Sequence, residues 1–188
     1  MYNEELKEKG DDAERLFKEY LNKNKIPYIY FEQGILTKSD VLKTENIIRP
    51  DFLIQTDNGI FYIDVKFREK TVYGEKNEER FRLSPDKIIN IHNFQSVFNQ
   101  DIWLAFTNNR ETPDFCFTSI TSIYNFYKNL EKAYNKKQKD FSKAPFIYFP
   151  NDLILYNRLS VENGFYKELA SSYYEKEAEY LIENEKKH

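Results

Sequence analysis

The chain predicts a mixed α/β fold, a central β-sheet with helices on both faces. Three observations lead there. Stretches with helical spacing of apolar residues alternate with short runs of β-branched and aromatic residues. One of those runs, Ile102–Thr107, is almost continuously apolar, as expected of a strand covered on both sides. And Arg49–Phe67 holds two such runs on either side of Asp57-Asn58-Gly59, the pattern of a β-hairpin.

In chain order, Ala13, Leu16, Phe17, Tyr20 and Leu21 give a helix from about Glu4 to Asn24, followed by a strand over Ile26–Phe31. The mixed polarity of Glu32–Ile48 assigns it to no element. After the hairpin, Arg68–Ser84 alternates basic and acidic residues and reads as a solvated loop. Ser84-Pro85-Asp86 then opens a helix, with Ser as N-cap and Pro in the first turn. It continues through Ile88, Ile91, Phe94 and Phe98. Strands follow at Ile102–Thr107 and Phe115–Ile120, a helix at Ser122 to about Lys137, a strand at Pro145–Phe149 and a helical turn at Leu153–Tyr156. A last amphipathic helix is expected over Phe165–Lys187. The expected division is therefore a domain over residues 1–158 and a C-terminal helix over 159–188 that packs on the core or on a partner, such as a second copy.

Composition narrows the function classes. Charged residues make up 31% of the 188 and hydrophobic ones 40%, which suits a folded domain and not a disordered chain. The net charge of −3 excludes a protein that coats nucleic acid nonspecifically, so any such contact must be a local patch. Cys116 is the only cysteine, which rules out a disulfide within the chain and points to a buried small hydrophobe. The N-terminus is charged and no run reaches membrane-spanning length, so the expected setting is the cytoplasm, without a membrane.

The chemistry concentrates in the hairpin. With Asn58-Gly59 as turn residues, Thr56 faces Phe61, Ile54 faces Ile63, Phe52 faces Val65 and Asp51 faces Lys66. One face then carries Phe52, Ile54, Phe61, Ile63, Val65 and Phe67. The other carries Asp51, Leu53, Gln55, Tyr62, Asp64 and Lys66, which gathers two carboxylates and an ammonium at the end away from the turn. Buried charges must pair or bind a metal. Neighbouring carboxylates attract a hard divalent cation such as magnesium. With a lysine beside them, the set suits hydrolysis of a phosphodiester.

Pro50-Asp51, followed on the next strand by Asp64-Val65-Lys66, resembles the PD-(D/E)XK nuclease superfamily. Glu5-Leu6-Lys7, Glu185-Lys186-Lys187, Pro85-Asp86 and Pro113-Asp114 match parts of the motif, but only Pro50-Asp51 opens a hairpin whose return strand carries Asp-X-Lys. The element order over about residues 3–120 also resembles the core of the restriction-endonuclease-like fold. The resemblance implies a metal-dependent nuclease, with DNA favoured over RNA and endonuclease action favoured. The metal would be Mg2+, with Mn2+ as a substitute. It implies that Asp51 and Asp64 hold the metal, that the Val65 carbonyl adds a ligand, and that Lys66 positions or activates the attacking water. Glu14, beside the apolar stripe of the first helix, is the match for a further acidic member, with Glu19 as fallback. Gln95, and after it His92, match a polar residue supplied by the helix after the lysine strand. Arg68 lies where the chain would flank the substrate. Arg49 has two readings, a phosphate contact or an ion pair. The alternative from another class is a non-catalytic module of this fold, working in nucleic-acid binding or assembly, with a partner protein supplying the affinity.

Overall fold

A computed structural model describes residues 4–32, 39–44, 47–68, 71–73, 78–136, 146–149 and 159. Helix α1, Glu4–Lys23, comes first, followed by strand β1, Tyr28–Tyr30, and the short helix α2, Asp40–Thr44. The hairpin consists of β2, Phe52–Thr56, and β3, Gly59–Phe67. Three short strands follow: β4, Thr71–Tyr73; β5, Glu78–Arg80; and β6, Arg82–Leu83. Helix α3, Pro85–Phe98, leads into β7, Ile102–Thr107. Then come β8, Cys116–Ser119; α4, Ile120–Lys136; and β9, Ile147–Tyr148.

The central sheet has the order β1-β2-β3-β7-β8. Only β3 and β7 run parallel, with α3 as their crossover, and the other neighbours are antiparallel. All six residues of β7 are buried, as its unbroken apolar run requires.

The hairpin forms with a register two residues away from the expected one. Phe52 pairs with Ile63, Ile54 with Phe61 and Thr56 with Gly59, so the turn residues are Asp57 and Asn58. Gly59 takes φ +121, a conformation that L side chains rarely adopt, at the first position of β3. The Thr56 hydroxyl accepts the Asn58 amide and donates to the Gly59 carbonyl, closing the turn from inside. A shift of two preserves which residues share a face, whereas a shift of one would exchange them.

Each face of the sheet has its own core. Under α1, Phe52, Ile54, Ile63 and Val65 of the hairpin meet Ala13, Leu16, Phe17 and Leu21, together with Trp103, Ala105 and Phe117. The opposite face, with Leu104 and Phe106 at its centre, packs against Ile88, Ile91 and Phe94 of α3 and Ile123, Phe126 and Leu130 of α4. The expectation that Arg68–Ser84 is a solvated loop is corrected. β4 pairs with β5 and β6 pairs with β9, while Arg80, Phe81 and Leu83 are buried. The charge alternation concealed the apolar pair that anchors the segment.

Leu159 is buried against α1, where its backbone exchanges two hydrogen bonds with the Tyr20 hydroxyl. The division expected at 158–159 falls at this residue. The turn expected at Leu153–Tyr156 and the helix expected at Phe165–Lys187 lie outside the described residues.

Phe17 is the aromatic hub of the first core, with ring centroids 5.1 Å from Phe52 and 5.0 Å from Phe115 and further contacts to Tyr20 and Phe117. Its truncation leaves a cavity that a sheet and a helix cannot close. Phe17→Ala is expected to cost about 3–5 kcal/mol, read as a lower midpoint in urea unfolding.

Candidate active site

The end of the hairpin away from the turn brings Asp51 level with Asp64, because the β2–β3 register extended by one residue pairs them. Both carboxylates are buried, at 5% and 1% exposure. One oxygen of Asp51 accepts the Val65 amide at 2.6 Å, and the Asp51 amide donates to the Ile63 carbonyl at 3.0 Å. The Asp51 carbonyl in turn accepts the Phe31 amide at 2.8 Å, so β1 also fixes its position.

The Lys66 ammonium abuts the Asp64 carboxylate, and its side chain is mostly shielded from solvent. Burial alone would lower its pKa, but Asp64 and Asp51 outweigh that and raise it, so Lys66 stays a cation. Asp51 moves the other way for a carboxyl group. Burial first, and then the charge of Asp64, push its pKa far above the usual range, against the opposing pull of Lys66.

A cleft of about 260 Å3 opens over this group at the carboxyl end of β3. Lys9, Gly10 and Glu14 of α1 line one side, Asp51 and the run Val65–Arg68 line its floor, and Lys87 of α3 stands opposite. Glu14 accepts a 2.6 Å hydrogen bond from the Tyr30 hydroxyl, and burial raises its pKa. The Lys18 ammonium lies 3.5 Å from the Tyr30 ring centroid, on the cation-attracting face of the ring.

Asp51, Asp64, Val65, Lys66, Glu14 and Arg68 thus lie together in or beneath one cleft. Gln95 does not join them. Its side-chain nitrogen donates to the Thr121 hydroxyl at 2.7 Å and its oxygen accepts the Ile102 amide at 3.1 Å, which ties α3 to the starts of β7 and α4. His92 stacks on Tyr124 with centroids 3.7 Å apart. Arg49 donates to the Glu32 carbonyl and is not part of the cleft lining. Glu19 pairs with Arg15 on the exposed side of α1. Lys87 is the residue that the sequence reading missed. Its position in the first turn of α3, three residues after Ser84, was the available signal.

Among the described residues no three His, Cys, Asp or Glu side chains converge as a metal cage. The donor set fits a hard cation in another way. Asp51 and Asp64 supply adjacent carboxylate oxygens, and Asp64 Oδ2 is buried without a hydrogen bond of good geometry, although Lys66 abuts it. A small divalent cation that keeps several waters needs few protein ligands. Glu14, held by Tyr30, borders the pair and does not complete a three-carboxylate cage with it.

The model of the nuclease-related domain, NERD, matches residues 9–121. The chain belongs to the nuclease-related domain family. The match runs from Lys9 of α1 to Thr121 of α4 and so includes every residue of the cleft, and the nuclease class comes with it. Family and sheet arrangement agree with the resemblance to the PD-(D/E)XK superfamily drawn from Asp51 and Asp64-Val65-Lys66. Among solved structures, this nuclease-related domain is similar to Hjc, a Holliday junction resolvase from Archaeoglobus fulgidus. The two share 18% identity over 60% of this chain and 78% of the resolvase, with a TM-score of 0.42. No curated protein matches the chain in sequence. No helix among the described residues is long and apolar enough to cross a membrane.

The raised pKa of Asp51 has a signed consequence for the metal-free domain. As pH rises above the ordinary carboxyl range, the unfolded chain releases a proton that folded Asp51 retains, so stability falls with pH. Asp51→Asn removes this loss and keeps an acceptor for the Val65 amide. In EDTA its melting temperature is expected to exceed that of the parent at pH 8, by the equivalent of about 1 kcal/mol or more, and the gap is expected to shrink by pH 5. Differential scanning fluorimetry across that range checks it.

Proposed function

We propose that this domain is a magnesium-dependent deoxyribonuclease that hydrolyses phosphodiester bonds, with endonuclease action favoured and manganese as a substitute metal. The observation that carries the reading is the burial of Asp51 and Asp64 side by side beneath a cleft, with the Lys66 ammonium against them. Lys66 balances Asp64, and without a metal Asp51 is offset only by the proton it retains, a place that a divalent cation would take.

Asp51, Asp64 and the Val65 carbonyl would hold the metal. Bound there, it would supply Lewis-acid stabilisation of charge on the phosphoryl oxygens. The rest belongs to the chain. Lys66, kept protonated by its neighbours, orients the attacking water and offsets charge that develops on the phosphate. Glu14 has a raised pKa and one oxygen fixed by Tyr30, which suits its carboxylate to take the proton that the water loses. Water forms the new bond to phosphorus as the bond to the leaving oxygen breaks. Arg49 was a candidate phosphate contact, but its bond to the Glu32 carbonyl supports a structural role.

Supercoiled, linear and single-stranded DNA and RNA, each incubated with magnesium, test the activity and the preference among substrates. Asp64→Ala and Lys66→Ala are expected to lower cleavage by at least a hundredfold while far-ultraviolet circular dichroism stays that of the parent. Unchanged cleavage by both variants would sink the assignment. Magnesium is expected to raise the melting temperature of the parent and not that of Asp64→Ala; a module that only binds or assembles would respond in neither form.

A further inference from the structure

Lys9, Lys66, Arg68 and Lys87 all line the cleft; among the described residues Lys9 pairs with Glu5 and Lys66 with Asp64, while Arg68 and Lys87 have no carboxylate within ion-pair distance. The Arg68 guanidinium donates to the Phe67 carbonyl at 2.6 Å, a neutral acceptor, and forms no ion pair among the described residues. Lys87 is exposed and, among the described residues, forms no ion pair. Its position is electrostatically adverse. It stands in the first turn of α3, where the helix dipole disfavours cations, and it faces two further cations across the cleft. Partial burial, then Arg68 and then Lys66 lower its pKa, with only a lesser opposing pull from Asp64. Burial likewise lowers that of Arg68, with Asp64 opposing and Arg82 adding a like charge. Asp64 draws on both side chains, but its carboxylate is already held by Lys66, so in a chain of net charge −3 Arg68 and Lys87 form a local demand for an anion.

We propose that Arg68 and Lys87 form a seat for a second phosphate of the nucleic-acid strand, one that neighbours the phosphate being cut. The seat lies across the cleft from α1, at the end of β3 just beyond Lys66. Arg68 supplies a planar fork for the phosphate oxygens and Lys87 a point charge that can follow the backbone. The contact is to phosphate alone, so it anchors the strand without reading bases. This deepens the nuclease reading and rests on it.

Binding of fluorescein-labelled single-stranded and duplex oligonucleotides in EDTA, across a series of salt concentrations, tests the seat without any cleavage. Lys87→Ala is expected to weaken binding by about five- to tenfold and to lower the slope of log affinity against log salt by about 0.7–0.9, the loss of one phosphate contact. Lys87→Arg is expected to restore both. Arg68→Ala combined with Lys87→Ala is expected to lose less than the product of the two single effects, because both act on one phosphate. The seat is overturned if Lys87→Ala keeps the parent's affinity and slope, if Lys87→Arg fails to restore them, or if the parent binds neither oligonucleotide. A parent that binds with the predicted slope changes but never cuts under magnesium upholds the seat and refutes the hydrolytic reading.

Discussion

The structure depends on one unfavourable contact, the side-by-side burial of Asp51 and Asp64. Two desolvated carboxylates repel each other, and each would be better hydrated in water. Four features hold them in place. The Val65 amide bonds to Asp51, Lys66 pairs with Asp64, the hairpin register sets them level, and a full apolar core lies beneath β2 and β3. Without a metal, the proton that Asp51 retains relieves the repulsion, and the cost of the contact appears as its raised pKa. The core under α1 therefore does more than stabilise the fold, because it supplies free energy that holds the two carboxyl groups side by side.

That view explains why the site lies at the sheet's end. Further along β3 both faces are closed, by α1 on one side and by α3 and α4 on the other. A charged cluster there would have no access to solvent or substrate. At the carboxyl end of β3, α1 and the first turn of α3 stand apart and leave the cleft between them. The parallel β3–α3–β7 unit produces this opening, since the crossover helix starts its return beyond the strand end. Tyr30 extends the arrangement by one strand. It is level with Phe52 on β1 and fixes Glu14 of α1 by a hydrogen bond, so an edge strand and a helix are registered to each other through a carboxylate of the cleft.

The hairpin chemistry was legible in the sequence because strand periodicity is robust to the error made. Placing the turn one step late, on Asn58-Gly59 and not Asp57-Asn58, shifted every pairing by two and left each side chain on its expected face. What changed was the neighbour of Asp51, which is Asp64 and not Lys66. Sequence alone could not tell these apart, since Asp57-Asn58 and Asn58-Gly59 are both turn-forming pairs. The sheet face carrying the charges was legible, but its cover was not. Helical spacing shows that α3 and α4 have apolar stripes, and does not show which sheet face they pack against.

Gln95 and Lys87 show the limit most clearly. Both are polar residues on α3, two full turns apart. The sequence favoured Gln95 through the family resemblance, as a polar residue on the helix after the lysine strand, sharing a face with Ile88. The strand start and α4 consume its hydrogen-bonding capacity. Lys87 drew no reading from the sequence. Its environment is set by Arg68 and Lys66, which stand far from it in the chain and reach it only through the sheet. A hydrogen bond that ties elements together and a charge left for a ligand look alike in a sequence. The difference is whether folding supplies the partner: it does for Gln95, and for Lys87 it brings two more cations instead.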